Sequence, residues 1–224
     1  MEKFKRFKLS SDEPIISLRD NKFHYNSILS RLAELKDKEY LVYHYDIEKR
    51  QIGFEFLSER TDEHAYRLIR ETGRGKNFRS SAGELIARFS WVKAIHDLDD
   101  NELKKFIVSK KGNLWIISFK PAFEHKISRA DLNKIPNGTK GIYKYIDSHD
   151  EIVYIGKGDI KVRAKESKRD EWKFIKIEYS IINDESKQFE WEDFWIDWFK
   201  ENNNERLPYY NKITGNKTKS LSFE

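Results

Sequence analysis

The strings Gly141-Ile142-Tyr143 and Tyr154-Ile155-Gly156 place two tyrosines eleven residues apart, on either side of an expected hairpin turn. A phenol can hydrogen-bond a phosphate or orient a water, but tyrosine is also common in strands because its ring packs on a pleated surface. Downstream, in order, come Arg163, Glu192 and Asn211. Arginine stays charged and can contact two phosphate oxygens at once. A carboxylate can hold a hard divalent cation. Phosphodiester hydrolysis asks for this combination: an activated water, neutralised charge on the phosphate and help for the leaving oxygen.

These groups need elements to hold them. A helix over about Lys187–Glu201 puts Phe189, Trp195, Ile196 and Phe199 within roughly 60° of Glu192, whereas Glu190, Asp193 and Asp197 fall about 100–160° away. Glu192 therefore projects from the middle of the apolar face. A carboxylate there is costly unless it is ion-paired or bound to a cation, and both readings stay open. Mg²⁺ often takes only one or two protein carboxylates, so a single glutamate is enough.

Taken in order, Gly141-Ile142-Tyr143, Tyr154-Ile155-Gly156-Lys157, Arg163, Glu192-Asp193-Phe194-Trp195-Ile196 and Pro208-Tyr209-Tyr210-Asn211 resemble the GIY-YIG nuclease domain, from about Gly141 to Asn211. The resemblance implies a metal-dependent endonuclease acting on DNA, of restriction, homing or mobile-element type, with one Mg²⁺ or Mn²⁺ per active site. Carried over, Glu192 is the metal ligand, with Glu190 the poorer choice. Tyr143 activates or orients water, Tyr154 hydrogen-bonds at the site, Arg163 stabilises phosphate charge and Asn211 braces the site. A phenol acts as a base at neutral pH only if its pKa is lowered, a task for Lys157 or a cation. Covalent attack by Tyr143 or Tyr154 lacks wider support in the sequence. One departure is Ser167, where family members often carry His or Tyr; it keeps in view a catalytically degenerate nucleic-acid-binding protein.

The second half reads as strand (Gly141–Asp147), strand (Ile152–Ile155), helix (Ile160–Lys168), strand (Phe174–Ile182) and helix, a ββαβα order expected to give a small sheet covered by helices. Between Lys157 and Lys176 stand eight Lys or Arg against four Asp or Glu, a basic strip that marks Lys161 and Lys165 as nucleic-acid contacts. Pro136, Asn137 and Gly138 suggest a break near Asn133–Lys140, hence domains 1–136 and 137–224.

The first half belongs to no recognised family. It reads as an α+β domain with helices at Tyr25–Leu35, about Thr61–Thr72 and Ala82–Ile95, the last from the Ser81/Glu84 capping-box spacing. Two hairpins are expected: Tyr40–Ile47 with Gln51–Leu57, and Lys105–Ser109 with Leu114–Phe119. The stretch Gly73-Arg74-Gly75-Lys76-Asn77-Phe78-Arg79-Ser80-Ser81 reads equally as a phosphate-backbone contact through Arg74, Lys76 and Arg79 or as a solvated connector. It lacks the Walker spacing.

Composition bounds the class. With 224 residues, 38% hydrophobic and 14% aromatic, the chain can bury a core. Its net charge is +5, and residues 1–136 hold the basic excess, 27 Lys or Arg against 21 Asp or Glu, so this half is expected to supply nucleic-acid affinity. Cysteine is absent, which excludes disulfides, Cys-based zinc sites and thiol nucleophiles. Residues Met1–Ser10 carry four cations with no following apolar run, and no stretch has the roughly 18 apolar residues of a membrane span. A soluble cytoplasmic protein is expected. The nuclease resemblance makes DNA, or else RNA, the expected partner, and a homodimer would suit double-strand cleavage.

Overall fold

The computed structural model describes residues 12–70 and 77–211. The chain is α+β, with several antiparallel sheets and few helices, and divides into two compact units, Met1–Lys120 and Pro121–Glu224. No helix among the described residues is long and apolar enough to cross a membrane.

The first unit opens with a hairpin, β1 (Ile15–Arg19) and β2 (Lys22–Tyr25), turned by Asp20 and Asn21 at φ 50° and 55°. Tyr25 thus ends a strand instead of starting a helix. The expected helix shortens to α1 (Ser27–Leu32), whose first turn is capped by Asn26 Oδ1 accepting from Leu29 N–H at 2.9 Å. Strands β3 (Tyr40–Asp46) and β4 (Gln51–Leu57) form the expected hairpin.

The expected helix at 61–70 does not form. Asp62 Oδ1 accepts from His64 N–H at 2.7 Å, a local turn that competes with helix, and β5 (Tyr66–Arg67) then joins β3 while β6 (Ile69–Arg70) joins β7 (Phe78–Ser81). The helix expected at Ala82–Ile95 is split into α2 (Gly83–Arg88) and α3 (Ser90–His96) by Phe89, held extended at φ −114°, ψ 112° with its ring against Tyr45 and Trp91. No capping box closes: Ser81 stays in β7 and Glu84 accepts from the Tyr66 hydroxyl.

The second expected hairpin is also rearranged. β8 (Lys105–Ile107) pairs with β1, and after Val108 the chain changes sheet, so that β9 (Ser109–Lys111) pairs with β10 (Leu114–Ser118). The result is two five-stranded sheets, β6-β7-β2-β1-β8 and β5-β3-β4-β10-β9. Their alternating apolar residues meet face to face, Phe23 against Phe54 at 5.0 Å and Tyr25 against Phe56 at 5.3 Å between ring centres.

In the second unit, β11 (His125–Ser128), β12 (Lys140–Ile146), β13 (Ile152–Asp159) and β14 (Lys176–Ile181) form one antiparallel sheet in the order β11-β14-β12-β13. β11 adds a strand to the expected ββαβα order and moves the boundary upstream of Asn133–Lys140. Leu132 and Ile135 lie in this unit's core, and the Pro136–Gly138 segment is only a turn within it. One face of the sheet carries Tyr143, Tyr145 and Ile177, packed with Ile160 and Ala164 of α4 (Ile160–Ala164) and with Phe174. Helix α5 (Glu185–Asn202) packs against β12 and β13 and, through Phe189 and Glu192, meets Lys157 of the opposite face. Strand β13 is an edge, which both layers reach.

Candidate active site

Register explains the two tyrosine strings. Tyr143 on β12 lies opposite Gly156 on β13, and Tyr145 lies opposite Tyr154. Tyr154 and Gly156 share a face, and the Tyr154 ring lies along its own strand over the glycine: a Cβ at 156 would sit 2.5 Å from the ring. Gly141 allows the β12/β14 approach, since a Cβ there would fall 1.8 Å from the Ser180 carbonyl oxygen.

Three rings, Tyr143, Tyr145 and Tyr154, then converge on one buried guanidinium. Arg169, 3% exposed, donates from Nη1 to the Tyr145 hydroxyl at 2.7 Å, the Arg163 carbonyl at 2.9 Å and the Tyr143 hydroxyl at 3.2 Å, and from Nη2 to the Tyr154 hydroxyl at 3.4 Å. The sequence reading passed over this residue. It expected α4 to run to Lys168; the helix instead stops at Ala164, and a 3₁₀ turn at Ser167–Arg169 swings Arg169 inwards. Nothing in an apparently solvated basic run signals which arginine the break will bury.

Arg163, on α4, is half-exposed. Its Nη1 donates to Glu166 Oε1 at 2.7 Å, and its stem runs beside Gly158, whose φ of 109° favours glycine. Glu166 Oε2 also faces Lys168 at 3.1 Å and Arg169 Nε at 3.5 Å. These cations outweigh the effect of its partial burial and hold the Glu166 carboxyl below the usual range.

Glu192 reaches the same end of β13 from α5, flanked one turn away on either side by buried Gln188, Trp195 and Ile196. Its side chain is 13% exposed, and Lys157 Nζ stands 3.7 Å from Oε2, an ion pair too long for a direct hydrogen bond. Lys157 also lies 3.4 Å from the centre of the Phe189 ring. Burial pushes the Glu192 carboxyl up; Lys157 and Arg163 draw it back and Asp193 adds to the rise. Of the two earlier readings of Glu192, the ion pair is present, at 3.7 Å from Lys157. Glu190 is exposed and paired with Lys187.

Tyr143 does not meet the need for a lowered pKa. It is fully buried, and desolvation together with Tyr145 and Tyr154 lifts its phenol well above the ordinary value, against the pull of Arg169. Its hydroxyl can orient a neighbour but cannot ionise near neutral pH. Tyr154 is less enclosed; burial raises its phenol, Arg169 and Arg163 oppose that, and Glu192 adds to it. The Tyr154 hydroxyl is therefore electrostatically coupled to both Arg163 and Glu192.

Asn211 clasps the edge strand: Oδ1 accepts from Ile155 N–H at 2.9 Å and Nδ2 donates to the Ile155 carbonyl at 2.8 Å. Beside it, Tyr210 stacks on Trp172 with ring centres 4.4 Å apart.

The expected nucleic-acid contacts fare differently. Lys161 donates to the Asn133 and Ile135 carbonyls and to Asn137 Oδ1, at 3.2, 3.0 and 2.9 Å, and Lys165 donates to Asn133 Oδ1 at 2.6 Å. Both fasten α4 to the 133–137 segment instead of presenting free ammonium groups. Arg79 is half-buried in β7 opposite His24, and Arg74 and Lys76 lie outside the described residues. Ser167 is exposed at the start of the 3₁₀ turn, while Arg169 occupies the interior.

Among the described residues no group of three or more His, Cys, Asp or Glu gathers to hold a metal. The donor set at β13 still fits a hard divalent ion of the kind that takes one carboxylate and completes its shell with water and phosphate, because the Glu192 side chain is 13% exposed and Lys157 Nζ stands at 3.7 Å, too far for a direct hydrogen bond. The chain matches no protein-family model, no curated protein and no solved structure.

Proposed function

We propose that this chain is a metal-dependent endonuclease of the GIY-YIG kind that hydrolyses DNA phosphodiester bonds. The observation that carries the reading is that Glu192, through Lys157, and Arg163, beside Gly158, both reach one end of the edge strand, with the Tyr154 phenol electrostatically coupled to both. A desolvated carboxylate, a half-exposed guanidinium and a coupled phenol suit a scissile phosphate better than they suit a packed interior.

In this reading Arg163 leaves Glu166 to pair with two phosphate oxygens and Glu192 provides the protein's ligand to Mg²⁺ or Mn²⁺. The bound ion would neutralise phosphate charge and acidify a water. Tyr154 donates a hydrogen bond at the reacting phosphate, Tyr143 orients it from behind, Lys157 keeps the Glu192 carboxylate ionised and Asn211 fixes the strand. The first unit, with its basic excess, supplies affinity for DNA.

The test is incubation of wild type and Glu192→Gln with supercoiled plasmid and Mg²⁺. Nicked or linear product from wild type alone is the expected result; no metal-dependent product from wild type on duplex or single-stranded DNA would sink the reading. A second reading, a DNA-binding protein that has lost cleavage, is favoured by the enclosure of Tyr143 and by Ser167. It predicts binding without product in any divalent metal.

A further inference from the structure

We infer that Arg169 is a positioning residue of this site: its buried guanidinium fixes the hydroxyls of Tyr143, Tyr145 and Tyr154 and, through the Arg163 carbonyl and Glu166, fixes the direction of the Arg163 guanidinium. The inference deepens the nuclease reading, but its geometric part can be tested without it.

The argument begins from cost. An arginine that is 3% exposed has lost almost all its water, and such burial is tolerated only when the planar fork is well satisfied. The two terminal nitrogens of Arg169 are satisfied by neutral oxygens, phenols from two strands and the carbonyl of Arg163, while its Nε faces the Glu166 carboxylate at 3.5 Å as an ion pair without a hydrogen bond. The three rings surround it as well, their centres 4.9–6.0 Å from the guanidinium carbon. Packing alone would be served by an apolar side chain of similar length, so the polar arrangement implies a directional task.

Arg169 also joins parts that otherwise have separate supports. Tyr143 and Tyr145 belong to β12, Tyr154 to β13 and Arg163 to α4, and each is bonded to the one guanidinium. Glu166 completes the link, with Oε1 on Arg163 and Oε2 towards Arg169. Its carboxylate, 24% exposed, holds Arg163 at 2.7 Å, and a bound phosphate would compete for that guanidinium. A lysine at 169 would retain the charge but not the fork, because an ammonium offers a point charge instead of a planar array of donors.

The variants are Arg169→Lys and Glu166→Gln. With tyrosine labelled at ¹³Cζ, Arg169→Lys is expected to shift the resonances of Tyr143, Tyr145 and Tyr154 in a protein that still unfolds cooperatively. On a DNA oligonucleotide with Mg²⁺, each variant is expected to lower kcat by about 10–100-fold with KM little changed, as loss of supporting contacts around a site typically does. The double variant should be no worse than the weaker single, because the two residues act on Arg163 as one unit. A folded Arg169→Lys protein with unmoved tyrosine resonances would overturn the inference, as would losses in kcat that multiply. Should Arg169→Lys fail to fold, Glu166→Gln decides, and wild-type kcat there overturns it. If wild type cleaves nothing, the nuclease reading falls and the resonances alone judge Arg169.

Discussion

Asn211 takes both backbone hydrogen-bonding groups of Ile155, accepting at 2.9 Å and donating at 2.8 Å, on the side of β13 that pairs with no strand among the described residues. A single amide side chain thereby substitutes for the next strand, and Tyr210 N–H extends the contact to the Val153 carbonyl at 2.9 Å. Asn211→Ala removes both bonds at about 1 kcal/mol each, so a loss near 2 kcal/mol is expected in urea denaturation. The bared edge should also raise concentration-dependent self-association, read by light scattering. Stability within a few tenths of a kcal/mol of wild type would show that the clasp is ornamental.

Two glycines at the start of β12 should respond very differently. At Gly141 a methyl group would meet the Ser180 carbonyl at 1.8 Å, whereas at Gly138, with φ 77°, it would meet nothing within 4 Å. Gly141→Ala must part β12 from β14 and is expected to cost about 3 kcal/mol or more. Gly138→Ala carries only the left-handed backbone penalty, about 1 kcal/mol. Thermal or chemical unfolding of the pair reads the order directly; equal losses would contradict the close strand approach.

Glu192→Gln should separate stability from activity. Because burial raises the folded-state pKa of Glu192, the folded protein is relatively more stable below the unfolded glutamate value and loses stability as pH rises through the window up to the folded value. At neutral pH the uncharged amide is therefore expected to leave Tm unchanged or higher, and this gain should vanish in acid. Mg²⁺ at about 100 times its Kd would stabilise wild type by about 2.7 kcal/mol and the variant by much less. A lower Tm for Glu192→Gln in the absence of metal would show that the Lys157 ion pair outweighs the desolvation of the carboxylate.

The opposite sign holds at Glu178. It is 6% exposed, and although burial pushes it up, Lys144 at 3.0 Å and Lys126 at 3.1 Å bring its carboxyl below the usual range. The stability it contributes is present above the unfolded glutamate pKa and lost as pH falls through the depressed folded value. Glu178→Gln is expected to cost on the order of 2 kcal/mol at pH about 7, since it leaves half-buried Lys144 without this partner. Denaturation curves of wild type and variant should converge in acid; a constant gap would place the effect in packing instead of charge.

Much of the second unit was legible because its signals are local. The strands around Tyr143 and Tyr154 and the wheel position of Glu192 express geometry that repeats every two or 3.6 residues. The first unit was harder to read. Leu29 and Leu35 suggested a longer helix, but Asn26 and the preceding hairpin confined it to a short one, and the 61–70 stretch turned on Asp62 and added two short strands, one to β3 and one to β7.

The sequence by itself determined the types of group available, their order and the faces they occupy, because backbone periodicity assigns a side to each residue. Tertiary structure decided which of those groups meet and in what protonation state. It drew Lys161 and Lys165 into internal bonds, enclosed Tyr143 so that its phenol stays protonated, and turned Arg169 from an apparently solvated run into the hub of three tyrosines. Burial and electrostatic coupling depend on distances between segments that no local pattern encodes, and for that reason the two tyrosine strings could be read from the chain while the arginine between them could not.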